Sequence, residues 1–225
     1  ASSGVWAMAS STGVVVSVLS SWVGYHVFAS VWDGEQAASY WDSTGARCLA
    51  DLQWADLPEA VVKRAASLVH DRPITTRRRD LVLDYKQAHY WLDSVLGSAN
   101  AESVQRKRSF LVGKEGEQIA SPVLTVVEDP FVPGGAASCA FDGEGVPRRK
   151  RELLSAGVLT TYLHNSYTAN KAGVEYTGHA SRRGYHADVG IGMSNVQVRT
   201  GEEPLEKLIS DVEDGIFLVV GAPFP

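Results

Sequence analysis

The chain has 225 residues, 44% apolar and 21% charged, with a formal net charge of −5. This is the balance of a folded globular protein and excludes a disordered chain; the length suits one large domain or two small ones, and the acidity argues against non-specific attraction to nucleic acid. Two cysteines, Cys48 and Cys139, lie far apart without CxxC spacing, which fits a reduced, cytosolic setting and leaves a disulfide between them open; no basic start with an apolar run reads as a signal peptide, and no stretch of about 18 apolar residues reads as a membrane span.

In chain order, Gly13–Leu19 and Val23–Trp32 are rich in β-branched and aromatic residues and read as strands. Asp33-Gly34 is a hairpin turn signal, and Glu35–Trp41 reads as the returning strand. Tyr25, Phe28, Trp32, Tyr40 and Trp41 fall on this hairpin, as cross-strand packing or as a contact surface. Asp56 and Glu59 form an acidic variant of the capping box, with Pro58 in the first turn, and Val61, Val62, Ala65, Leu68 and Val69 recur at helical spacing. Asp71-Arg72-Pro73 is expected to stop that helix, because proline disfavours helix in the residue before it. A domain boundary is placed there, dividing residues 1–72 from 73–225.

Asp80–Leu83 reads as a short strand. Asp84 is placed to cap a helix with Ala88, Trp91, Leu92, Val95 and Leu96 on its apolar side, interrupted at Gly97-Ser98-Ala99-Asn100. Gly113–Gly116 reads as a turn and Val123–Val127 as a buried strand. The stretch from Pro122 to Gly178 then holds an acidic, glycine-rich connection of a length uncommon in compact domains unless functional or disordered. Arg149–Leu154 and Val158–His164 read as a hairpin around Ser155-Ala156-Gly157, and Ser166–Ala172 as a helical turn ended by Gly173. Val189–Arg199 reads as strand, Leu205, Leu208, Ile209 and Val212 as one helix face behind Pro204, and Ile216–Val220 as a last strand. The irregular alternation predicts an α+β fold: mostly antiparallel sheets, a few packed helices and a β-rich C-terminal part.

Residues with chemical potential are scattered. His89 and Asp93 lie four apart on a helix and could face one cavity, but a catalytic zinc needs three protein ligands. Packing beside Trp91 and Leu92 is the competing account. His179 and His186 bracket Arg182-Arg183 in a polar segment and read as loop residues. Cys139 has no histidine near it in sequence to lower its pKa. There is no HExxH helix, GxSxG elbow or phosphate-cradling loop. Asp142 and Glu144 either cap a turn and pair with Arg148 or Arg149, or share a proton or a cation. The runs Arg77–Arg79, Arg148–Arg151 and Arg182-Arg183 read as solvated faces.

The order of segments Ser109-Phe110-Leu111, Glu128-Asp129-Pro130, Gly134-Gly135, Phe141-Asp142-Gly143-Glu144-Gly145-Val146-Pro147, Gly157-Val158-Leu159, Tyr162-Leu163, Tyr167-Thr168-Ala169, Thr177-Gly178-His179-Ala180 and Met193-Ser194-Asn195 resembles the TldD/PmbA family, closest to its PmbA (TldE) branch. The match is continuous from about Arg79 to Phe217, so 1–72 is expected to be an incomplete N-terminal α/β portion and 73–225 a PmbA-like domain. The resemblance implies a cytosolic heterodimeric metallopeptidase acting on unfolded peptides held in an enclosed chamber, partly by strand addition. In the TldD branch a helix with a His-Glu-x-x-x-His motif and a distant cysteine binds zinc; the PmbA branch lacks those ligands and serves as partner. The corresponding helix here, near Asp84–Leu96, carries only His89, with Asp93 where a further ligand is to be sought, and Cys139 does not lie at the position of the zinc cysteine. The expectation is therefore a chain without its own catalytic residues or zinc, paired with a TldD-like catalytic subunit that holds the zinc or else forming a self-dimer, with Tyr162, Tyr167, Arg182 and Arg183 contacting an extended peptide or the partner. Two alternatives stand beside it: a self-sufficient enzyme using His89, Asp93 and His164 or His179, and a nucleic-acid-associated regulator built on the basic runs.

Overall fold

The computed structural model describes residues 1–70, 73–199 and 201–219. The proposed helix stop at Asp71-Arg72 and the end of the last strand at Val220 lie outside them. The chain divides into two compact units: Ala1–Thr76 with Pro133–Ala136, and Arg77–Val132 with the chain from Ala137 onward.

The first unit is a three-stranded antiparallel sheet in the order β1 (Ser2–Ala9), β2 (Val15–Asp33), β3 (Gln36–Ala46), with helix α1 (Leu57–Ser67) packed against β2 and β3. The two strands expected on either side of Ser20–Trp22 are one 19-residue strand, and β1 answers to no expectation from sequence. The burial pattern explains the apparent break. Val16 and Val18 are half-buried opposite Met8 and Trp6 of β1, whereas Val23, Val27, Ala29 and Val31 are half-buried along the stretch paired with β3. Inward parity changes from even to odd where β2 passes from one partner to the other, near Trp22 and Val23. A strand keeps strict alternation only while one face stays covered.

The hairpin turn falls one residue later than expected. Asp33 pairs with Gln36, and Gly34 (φ 60°) holds the first central position, as a type II′ turn demands. Phe28 and Trp41 are cross-strand partners and both are exposed, while Tyr40 is buried. Helix α1 buries Val61 and Ala65 completely. Its expected capping box does not form: Asp56 has helical φ and ψ and its side chain accepts no capping hydrogen bond, whereas a capping residue needs extended backbone to aim its oxygen at the first turn.

The second unit is built on a four-stranded antiparallel sheet in the order β10-β5-β6-β7, where β5 is Val126–Glu128, β6 Arg151–Ser155, β7 Val158–Leu159 and β10 Val196–Val198. Strand β4 (Asp80–Leu83) pairs in parallel with β11 (Gly215–Leu218), and β8 (Ala180–Ser181) pairs with β9 (Gly190–Ile191). The helices are α2 (Tyr85–Gly97), α3 (Ala101–Gln105), α4 (Ser166–Ala172) and α5 (Leu205–Ser210). Asp84 caps α2 through the Lys86 amide, and Asn165 and Thr168 close a full capping box on α4, which ends at Gly173 in the left-handed region. The core gathers Leu96 and Ala99 from the end of α2, Leu111, Val126, Leu153, Leu154, Leu159 and Leu163. Each fully buried leucine contributes on the order of 2 kcal/mol of apolar transfer.

Several expected elements are shorter or differently placed: the hairpin expected at Arg149–Leu154 and Val158–His164 is Arg151–Ser155 and Val158–Leu159. Of the strand expected at Val123–Val127 only Val126 and Val127 are regular, continuing to Glu128, and Val123 is exposed. Val189–Arg199 splits into β9 and β10. The apolar stripe of α5 stays partly exposed, and Pro204 is its N-cap rather than a first-turn residue. The fold class is the expected one: mixed helix and sheet, mostly antiparallel, with few helices.

Candidate functional site

Strand β5 carries its apolar run into a carboxylate. Val126, Val127 and Glu128 are all buried, and Glu128 is the hub of the second unit. Its Oε2 accepts from His179 Nε2 at 2.6 Å; its Oε1 accepts from the Ser194 amide at 2.6 Å and the Ser194 hydroxyl at 2.8 Å. The Arg148 guanidinium lies 3.9 Å from Oε1. Burial acts to raise the Glu128 pKa, but the hydrogen bond and charge of His179 and the two Ser194 donors outweigh it, and the carboxyl ends below its ordinary value. The far side of the imidazole meets the Thr177 hydroxyl at 2.8 Å, which also accepts from the His164 amide and lies 2.9 Å from the His164 carbonyl. A hydroxyl has one hydrogen. With that hydrogen on the carbonyl, His179 donates from both nitrogens as an imidazolium; with it on Nδ1, the ring is neutral.

Neighbouring loops are pinned in the same manner. Asp142 accepts from the amides of Glu144, Val146 and Ala180. Gly143 lies so close to β8 that an added Cβ would stand 3.0 Å from the Arg182 amide nitrogen. Glu144 accepts from the Ser166 amide at the start of α4. The turn-capping account of Asp142 and Glu144 is therefore the one the geometry realises, though their partners are backbone amides instead of the arginines. Asn195 bridges the Asp129 carbonyl, the Ser138 hydroxyl and the Ala137 amide. These carboxylates and amides spend their hydrogen-bonding capacity holding loops.

Beside this network lies a cleft of about 390 Å³. Arg151, His164 and Thr177 form its buried to half-buried floor, and Arg149 and Lys150 stand exposed at its rim. Arg151 donates from Nη2 to the Thr177 carbonyl at 2.8 Å, and burial, partly opposed by Glu128 and reinforced by Arg149, lowers its pKa. Desolvation likewise lowers the pKa of His164.

The profile of the PmbA/TldA metallopeptidase C-terminal domain matches residues 76–221, which includes the hub and the cleft. The chain belongs to the PmbA/TldD metallopeptidase family. It is 31% identical over 156 residues to a metalloprotease of Methanocaldococcus jannaschii, covering 69% of this chain and 34% of that protein. It is 33% identical over 149 residues to metalloprotease PmbA of Escherichia coli O157:H7, covering 66% and 33%. The crystal structure of TldE from Thermococcus kodakarensis superposes with a TM-score of 0.77 at 27% identity, over 92% of this chain and 47% of that one. The chain thus spans about a third of the length of these curated relatives.

Within this PmbA/TldD-type domain the residues singled out from sequence are dispersed. His89 and Asp93 are both exposed on α2, and the His89 ring leans on Tyr90. Among the described residues no group of three or more His, Cys, Asp or Glu side chains converges to hold a metal. His164 and His179 are buried and adjoin, bonded to Thr168, Thr177 and Glu128. Tyr162 is half-buried; its hydroxyl donates to the Leu111 carbonyl and accepts from the amides of Lys114 and Glu115, clamping that loop. Tyr167, Arg182 and Arg183 are exposed. Both cysteines are free thiols. Arg77 and Arg79 pair with Asp214. Glu128 and His179 stand in separate motifs 51 residues apart, and the chain order does not show that they meet. The available signal was a carboxylate continuing the apolar run Val126-Val127, where an unpaired charge would be costly.

Proposed function

We propose that this chain is a PmbA/TldE-like subunit of a TldD-type zinc metallopeptidase complex that works on unfolded peptides in the cytoplasm. What supports this reading is the match of residues 76–221 to the family's C-terminal domain, in which no converging set of metal ligands is found among the described residues. In this reading zinc belongs to the TldD-like partner, and no step of hydrolysis is assigned to a side chain of this chain. Its contribution is to complete the binding chamber, with Tyr162, Tyr167, Arg182 and Arg183 as the surface offered to peptide or partner. Among the described residues β10 is the end strand of its sheet, so its outer edge is where an extended peptide would add as a strand.

The test is to purify the chain alone and together with a TldD-type subunit. Alone it should hold no stoichiometric zinc and leave an unfolded peptide uncut; the mixture should form an equimolar complex that cleaves it. One tightly held zinc per chain, or hydrolysis by the chain alone that collapses with His89→Ala, would overturn the reading in favour of a self-sufficient enzyme. No helix among the described residues is long and apolar enough to cross a membrane.

A further inference from the structure

We propose that the cleft floored by Arg151 is a binding site for an oxyanion: a carboxylate or phosphate group held by the Arg151 guanidinium against Thr177 and His164. The cleft has room for such a group, at about 390 Å³. Three consecutive cationic residues, Arg149, Lys150 and Arg151, line it. Arg151 is incompletely satisfied: Nη2 donates to the Thr177 carbonyl, while its buried Nε has no hydrogen-bond partner among the described residues. A buried guanidinium donor left without an acceptor is costly. The internal carboxylate is largely in use, since Glu128 already accepts three hydrogen bonds, one from His179 and two from Ser194. The neighbouring Arg148 Nε is likewise buried and unpartnered, so this end of β6 holds more cationic donors than Glu128 can serve.

The competing charges sit at the rim. Glu115 and Glu175 line the cleft but are exposed, where water screens them. Lys150 reaches away to Asp129 at 2.8 Å. That leaves Arg149 as the outer cation and Arg151 as the inner fork, a geometry suited to a planar or tetrahedral oxyanion. Two sources supply that chemistry: the C-terminal carboxylate of an extended peptide, or a free inorganic oxyanion. The peptide source rests on the peptidase-subunit reading; the site itself does not.

The test titrates the full chain, without metal or partner, with a short N-acetylated peptide bearing a free C-terminal carboxylate, with the same peptide as its amide, and with inorganic phosphate. For the peptide source, the acid should bind about tenfold or more tightly than the amide, as a charge-assisted hydrogen bond implies. Saturable phosphate binding with no difference between acid and amide supports the site with the free oxyanion as its source. In either case Arg151→Met should abolish the binding, Arg149→Ala should weaken it, and Arg106→Ala on α3 should leave it unchanged. Thermal unfolding checks that Arg151→Met folds, and the exposed Arg149 provides a second variant if it does not. No acid-over-amide preference together with no phosphate binding overturns the proposal, as does oxyanion binding undiminished in both arginine variants. Neither zinc nor hydrolysis is read out, so failure here is distinct from failure of the subunit assignment.

Discussion

Glu128 and His179 meet at 2.6 Å with side chains only 3% and 1% exposed. Removing one member of such a buried pair strands the other, at a cost of about 3–5 kcal/mol. Glu128→Ala is therefore expected to lose at least about 3 kcal/mol in urea unfolding, and the Glu128→Ala, His179→Ala double variant less than the sum of the two singles, because they share one interaction. The pair also sets an acid limit. The folded pKa of Glu128 lies below the ordinary 4.5, so its contribution is complete above 4.5 and is lost as pH falls through the lower folded value. Unfolding curves taken across that range should show a loss that Glu128→Gln, which has no carboxylate to protonate, does not share.

His164 adds a second, milder step. Desolvation is the largest influence on it, the Thr168 hydrogen bond opposes, and the charge of His179 adds to the lowering below 6.5. A lowered histidine binds its proton more readily unfolded, so the chain is expected to lose stability as pH falls from 6.5 towards the folded value and to keep it above 6.5. His164→Gln should remove this upper step in pH-dependent unfolding and leave the lower one due to Glu128.

The turn between β6 and β7 is a sharper structural constraint. Ala156 (φ 46°) and Gly157 (φ 78°) are its central residues, both left-handed as a type I′ turn requires. A Cβ on Gly157 would stand 2.2 Å from Gln118 Nε2 and 2.3 Å from the Ala120 carbonyl oxygen. Gly157→Ala should cost roughly 2–4 kcal/mol by thermal or urea unfolding, from strain and overpacking together. Ala156→Asn should instead raise stability by up to about 1 kcal/mol, since asparagine tolerates the left-handed region better than alanine.

In the first unit the Trp22 indole lies across Gly45. A Cβ there would come within 2.0 Å of the indole Cζ2. The indole is 43% exposed, so it can swing outward, and Gly45→Ala should displace the ring instead of breaking the sheet. The expected signature is a red-shifted tryptophan emission that disappears in a Trp22→Phe background, with a stability loss of about 1 kcal/mol.

Local chemistry made much of the fold legible. Asp84 ahead of α2, Gly173 at the end of α4, and the Gly34 and Gly157 turns act over a few residues, so their identity carries their conformation. The single strand through Ser20–Trp22 was not legible, because its continuity depends on two different partners covering its two halves. The exposed stripe of α5 shows the converse, a regular pattern without a buried face. The acidic, glycine-rich connection stood out as special, but the chain order could not show that its carboxylates are consumed by amides of Glu144, Val146, Ala180 and Ser166.

By itself the sequence determined where the tight turns lie to within a residue, the Asp84 cap of α2, the mixed fold class and the family resemblance, all properties of short segments and their order. The tertiary structure decided which polar side chains are spent on one another. Glu128 finds His179 and Ser194 across more than fifty residues, while the Arg151 Nε finds no partner among the described residues. The cost of burying a charge depends on which donors and acceptors lie within about 3 Å, and linear distance along the chain does not contain that information.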